Sequence, residues 1–191
     1  MDKEKLNIIP SGEGMLELVK RRQSDRNYTG QPIEKEKLER ILEAGRLAPS
    51  ACNAQPWKFI VVDDPVLLKS LSDAASGNLP GMNAFVSKAP VQLIVVREKP
   101  NMLSKIGGTI KDKDYSLIDI GIAAENICLQ ATAEGLGSCM IGWFDEKAVK
   151  KILKIPASKR VELIITIGYP AGEKRQKKRK PPEEVVSYNR Y

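Results

Sequence analysis

Residues 48–59 read APSACNAQPWKF, and the chain passes from helix to strand inside them. Upstream, Leu38, Ile41, Leu42 and Gly45 recur at helical spacing, which predicts a helix over residues 34–47. Ala48-Pro49 stops it, because proline brings no N–H and disfavours helical geometry in the residue before it. Ser50, Ala51, Asn53 and Gln55 then make a small, polar connection. WKFIVV at residues 57–62 is β-branched and aromatic, the composition of a strand. Asp64-Pro65 follows as an N-cap with proline at the first helical position, opening a helix through Leu71.

The pattern extends in both directions. Met15, Leu16, Leu18 and Val19 form a short helical stripe that ends in Arg21-Arg22. Residues 91–96, VQLIVV, are a second apolar strand, and residues 100–114, with Gly107 and Gly108, are a polar loop or lid. Ser116 and Asp119 have the spacing of a capping box. Residues 117–134 are apolar, alanine-rich and too long for a strand, so they predict a central buried helix ended by Gly135 or Gly137. Residues 138–143 are a short strand or turn, and Asp145 caps a helix through Leu153. VELIITIGY at residues 161–169 is a strand ended by Pro170, and VVSYNRY at residues 185–191 predicts one more. Helix predominates and does not alternate strictly with strand, so the expected class is α+β rather than a doubly wound parallel sheet.

The 191 residues suit a single domain spanning 1–191, and 42% apolar with 29% charged residues is a globular composition. Histidine is absent, which excludes Ser-His-Asp and Cys-His hydrolysis and histidine-ligated metals. Cys52, Cys128 and Cys139 are isolated, so disulfides, zinc and iron–sulfur sites are not expected and a reducing, cytoplasmic compartment is. No signal peptide or ~20-residue apolar span is visible, and no membrane association is expected. Of the formal charge of +7, the run KRQKKRK at residues 174–180 carries +6. A nearly neutral body with one basic run suggests a local anion site or a solvated tail. No groove-reading motif accompanies it, so nucleic acid is not expected as a partner.

Three further clusters bear polar chemistry. In KRRQSDRNY, Arg22, Ser24 and Arg26 place two guanidinium forks and a hydroxyl within five residues, which suits one anion or a solvated helix end. The 48–59 connection can pass close to a flat ligand, or be an ordinary helix-to-strand link. EGLGSCMIGWFDE at residues 134–146 supplies Gly135, Gly137 and Gly142 without GxGxxG order.

Taken together, RRxSxR, PSxxNxQPW, GLGxxxIGxF and a late basic run before Pro-Pro resemble the FMN-dependent nitroreductase family of flavin oxidoreductases. The resemblance runs from Arg21 to Tyr191, and Gln23 stands where Arg or His is common. It implies a mixed β-sheet surrounded by helices, built as an intertwined homodimer. The C-terminal arm, residues 174–191, would reach the partner subunit and add a strand to its sheet. Each FMN would take Arg22, Gln23, Ser24 and Arg26 from one chain, and Pro49, Ser50, Ala51 and Asn53 from the other. Arg26 would lie toward the flavin N1/C2 edge, where a cation favours the reduced form. Lys177 and Arg179 would complete the phosphate site, Ile141 and Gly142 would offer backbone N–H groups near N5 and O4, and Asn78 would be a further contact. The implied reaction passes hydride from NADH or NADPH through flavin N5 to a small-molecule acceptor such as a nitroaromatic or quinone, in ping-pong order. Related members carry out reductive dehalogenation or enoate-type reduction, and the alternative of another class is a non-catalytic protein that binds an anion or nucleic acid through the basic run. No side chain need act as nucleophile or general base, and no metal is implied.

Overall fold

The computed structural model describes residues 11–76, 81–99 and 113–191. Its sheet is built around β2 (Val91–Arg97). β1 (Trp57–Val62) and β4 (Arg160–Gly168) flank it, and β3 (Gly137–Ile141) lies outside β4, giving the order β1-β2-β4-β3. All three ladders are antiparallel, and Ser24 makes an isolated parallel bridge to Ser138. Residues 91–96 of β2 are buried on both faces, as an unbroken apolar run requires. Ile94 and Val96 join one core, and Val91, Leu93 and Val95 the other. The β2–β4 register slips between Val95 and Val96, so that Val161 rather than Glu162 pairs with Val96. This bulge keeps Val161 in the first core while Leu163 packs on the second. Glu162 is left to meet the guanidinium of Arg97 at 2.9 Å.

Among the described residues the helices are α1 (Gly12–Arg21), α2 (Lys35–Arg46), α3 (Pro65–Ser76), α4 (Tyr115–Ala133), α5 (Glu146–Ile152) and α6 (Pro182–Val185). α3 and α5 cover one face of the sheet with Leu71, Ala74, Ala75 and Val149. α2 and α4 cover the other with Ile41, Ile120, Ala124, Ile127 and Ala131. Gly45 lets α2 and α4 close on each other, since a Cβ there would sit 2.7 Å from the Ile127 side chain.

Helix over residues 34–47 and strands at 57–62, 91–96 and 161–169 form within a residue of where the pattern predicts them. α3 runs on past Leu71 because Ser72, Ala74 and Ala75 are buried beneath it. The cap of α4 differs. Asp114, not Ser116, accepts the first free N–H, from Ser116 at 3.1 Å, while Ser116 and Asp119 are both buried. Nor is α4 buried all round: Leu117, Ile118 and Ile122 form an exposed apolar strip. The strand expected at residues 185–191 does not form in the single chain. Residues 182–185 make one helical turn, and Val185, Val186, Tyr188 and Tyr191 are exposed. The physical reason is that a strand needs a ladder, and among the described residues this segment pairs with no strand. The 100–112 part of the expected loop lies outside the described residues, as does Asn78.

Candidate cofactor site

The segment after α1 is laid along the free edge of β3. Arg22 leaves the helix with its N–H on the Leu18 carbonyl at 3.0 Å. Asp25 N–H donates to the Ser138 carbonyl of β3 at 2.9 Å. The Tyr28 hydroxyl reaches the Asp25 carbonyl at 2.8 Å and the Thr166 hydroxyl at 2.7 Å. Burial raises the Tyr28 phenol above its ordinary range, so it stays a neutral hydrogen-bonding group. Gly137 is required at this contact, because a Cβ there would lie 2.6 Å from the Asp25 carboxylate. These bonds close an otherwise open sheet edge and fix the backbone that carries Arg22, Gln23, Ser24 and Arg26.

The basic run returns across this segment. Arg175 N–H donates to the Gln23 side-chain carbonyl at 3.0 Å, and its guanidinium reaches the Ser24 carbonyl. The Lys177 ammonium donates to the Val19 carbonyl at 2.6 Å. Arg22 pairs with Glu125 of α4 at 3.2 Å. Between the two segments lies a cavity of about 300 Å³, walled on one side by Arg22, Gln23, Ser24 and Arg26. Arg175, Gln176, Lys177, Lys178 and Arg179 wall the other side. Burial lowers the Lys177 ammonium from its ordinary range, and the charges of Arg22 and Arg179 act in the same direction. Among the described residues no carboxylate lines the cavity, so its crowded cations fit a phosphate-sized anion. The Arg26 guanidinium lies 6.0 Å from the centroid of the Phe85 ring, within cation–π range.

The 48–59 connection is a separate, strained element. Ser50 is extended, residues 51–53 make one 3₁₀ turn, and Cys52, Asn53 and Gln55 have φ of 52°, 51° and 47°. Such backbone costs of order 1 kcal/mol or more per residue and persists only where its surroundings hold it. Here Gln55 N–H bonds the Ser50 hydroxyl at 2.9 Å, the Gln55 amide donates to the Asn53 carbonyl at 3.2 Å, and Ala51 N–H bonds Asp119 at 3.0 Å. Pro49, Ser50, Ala51 and Asn53 do not line the cavity of the basic run. Ile141 is buried at the end of β3 and Gly142 is exposed just beyond it, and neither lines that cavity.

The structure therefore brings Arg22, Gln23, Ser24, Arg26, Lys177 and Arg179 together across some 150 residues of sequence. It adds Arg175, Gln176 and Lys178 to the wall, Glu125 to Arg22, and Asp119 to Ala51. Asp119 and Glu125 had one signal in the sequence: they are the charged residues of YSLIDIGIAAENICLQATA, an otherwise uncharged helix.

The chain is 37% identical over 166 residues to an Archaeoglobus fulgidus protein with the provisional name NADH dehydrogenase/NAD(P)H nitroreductase, covering 85% of this chain and 88% of that one. It is 27% identical to an iodotyrosine deiodinase of Thermotoga neapolitana, covering 93% and 98%. Its fold superposes on an FMN-dependent nitroreductase of Clostridium difficile R20291 with a TM-score of 0.75, at 33% identity, covering 92% of this chain and 99% of that one. The model described as the nitroreductase family matches residues 19–169, the span that holds the Arg22–Arg26 segment, the strained 48–59 connection and the whole sheet, so this chain belongs to the nitroreductase family.

Proposed function

We propose that the protein is an FMN-dependent oxidoreductase that takes reducing equivalents from NADH or NADPH and delivers them to a small electron acceptor. The observation that carries this reading is the cavity whose walls are Arg22, Ser24 and Arg26 on one side and Lys177 and Arg179 on the other. Bidentate guanidinium donors and a hydroxyl match a phosphate end group, and Gln23 borders the same space. When bound, FMN supplies the hydride chemistry. The chain's own part is to hold and orient. Arg22, Ser24, Lys177 and Arg179 neutralise the phosphate, and Arg26 sets a fixed positive charge toward the ring system.

Pro49, Ser50, Ala51 and Asn53 serve the site of a partner subunit in this reading, together with backbone N–H groups at Ile141 and Gly142. Two observations favour a homodimer. The strip Leu117, Ile118 and Ile122 leaves apolar area on α4 exposed among the described residues. The strained 48–59 connection lies outside the basic cavity of its own chain. Nitroaromatics and quinones are the proposed acceptor classes. Reductive dehalogenation is the second reading, favoured by the similarity to an iodotyrosine deiodinase over 93% of the chain.

The test is purification followed by release and identification of the bound flavin, then anaerobic titration with NADH and NADPH. FMN near one per chain, bleached by either nucleotide and recoloured by a nitroaromatic or quinone, is the expected result. A chain that binds no FMN, or binds it without reduction by either nucleotide, overturns the reading.

A further inference from the structure

Gln23 has both ends of its side-chain amide engaged. Its NH₂ donates to Asp25 Oδ1 at 2.7 Å, and its carbonyl accepts the backbone N–H of Arg175 at 3.0 Å. The two partners differ in kind. Asp25 is tied to the sheet, through its own N–H on Ser138, its carbonyl on the Tyr28 hydroxyl, and a side chain packed against Gly137. Arg175 belongs to the exposed basic run, residues 174–180. Gln23 thus joins a rigid point of the core to a segment with little packing of its own.

We propose that Gln23 is a positioning residue, a two-ended clip that docks the basic run onto the Arg22–Arg26 segment and so assembles the anion cavity. The residue type follows from the two bonds. Glutamate would offer Asp25 no donor at neutral pH, and arginine or lysine would offer Arg175 N–H no acceptor. An amide supplies both. The Arg175 guanidinium on the Ser24 carbonyl and the Lys177 ammonium on the Val19 carbonyl extend the same docking. Without it, six like charges repel one another on a solvated segment, and closing the cavity costs the entropy of ordering that segment. The identity of the anion rests on the proposed function; the clip itself does not.

The experiment uses the full chain and the variants Gln23→Ala, Asp25→Ala and Asp25→Asn, with thermal melting to show that each is folded. Trypsin cleaves after Lys and Arg, so the initial rate of cutting within residues 174–180, measured without FMN, reports docking of the run directly. FMN titration then reports the assembled site. Gln23→Ala and Asp25→Ala should each speed the cutting and weaken FMN binding by about tenfold, the scale of the amide-to-carboxylate bond that both variants lose. Asp25→Asn keeps the Oδ1 acceptor and should leave both near the parent. Combining Gln23→Ala with Asp25→Ala should add less than the sum, because each opens the same clip. Weakened FMN binding with unchanged cutting makes Gln23 a direct ligand and overturns the clip, and unchanged values in both overturn it as well. Faster cutting in a protein whose parent binds no FMN leaves the clip standing and removes the FMN reading.

Discussion

Asp119 is a single carboxylate that the strained connection depends on. It is 3% exposed, and its Oδ1 accepts Ala51 N–H at 3.0 Å. Its Oδ2 is buried without a hydrogen-bond partner among the described residues. A buried carboxylate is tolerated only where what it holds is worth the desolvation, and here it anchors the turn whose φ angles are positive at Cys52, Asn53 and Gln55. Asp119→Ala leaves the Ala51 N–H without that acceptor and should cost about 1–3 kcal/mol, the scale of a lost hydrogen bond to a charged group. Asp119→Asn retains an acceptor and should restore most of it. Urea unfolding gives the stability, and amide exchange at Ala51 shows whether the turn has loosened. Equal stability and unchanged exchange in the alanine variant would remove Asp119 from this role.

At the scale of elements, α2 packs tightly on α4 at Gly45. A glycine inside a helix costs about 1 kcal/mol against alanine, so Gly45→Ala looks stabilising on propensity alone. Packing opposes it. The new Cβ would sit 2.7 Å from Ile127 Cδ1 and Cγ1 and 3.2 Å from the Phe59 ring, and Ile127 is fully buried. Overpacking of this kind costs roughly 1–3 kcal/mol, which wins over the propensity gain. Gly45→Ala should therefore lower the melting temperature, and Ile127→Val, which removes Cδ1, should return part of the loss. A raised melting temperature for Gly45→Ala would mean that α2 slides without penalty. The same contact keeps Asn126 bonded to the Ala44 carbonyl and Arg40 on Glu134, so its loss would spread along both helices.

At the scale of the whole molecule, apolar surface is exposed in two places. Leu117, Ile118 and Ile122 on α4 and Val185, Val186, Tyr188 and Tyr191 at the C-terminus are all exposed. A second copy that covers both would link cofactor binding to association, since a ligand held between subunits stabilises the dimer by mass action. Deleting residues 181–191 should then reduce dimer formation and flavin content together. Light scattering and the ratio of flavin to protein absorbance measure the two on one sample. A truncated chain that stays dimeric and fully loaded would show the arm to be dispensable.

The sequence by itself determined most of the elements of the sheet and the helices that cover it. Apolar spacing placed β1, β2, β4 and α2, because burial imposes periods of two and 3.6 on the residues that meet a core. The family resemblance singled out Arg22, Ser24, Arg26, Lys177 and Arg179, since their residue types and spacing alone suit a solvated surface as well as an anion. What only the tertiary structure decided are pairings between segments far apart in the chain. Nothing near Gln23 in the sequence indicates that its partner is the backbone of Arg175, 152 residues away. The spacing of Ser116 and Asp119 suggests a cap, yet Asp114 caps α4 and Asp119 reaches Ala51 instead. The β-prone residues at 185–191 form no strand alone, since propensity describes a fit to neighbours and the ladder must come from elsewhere. Local chemistry sets what each segment can become, and long-range contacts choose among those possibilities, because a hydrogen bond or a packed methyl has a partner that the local sequence does not name.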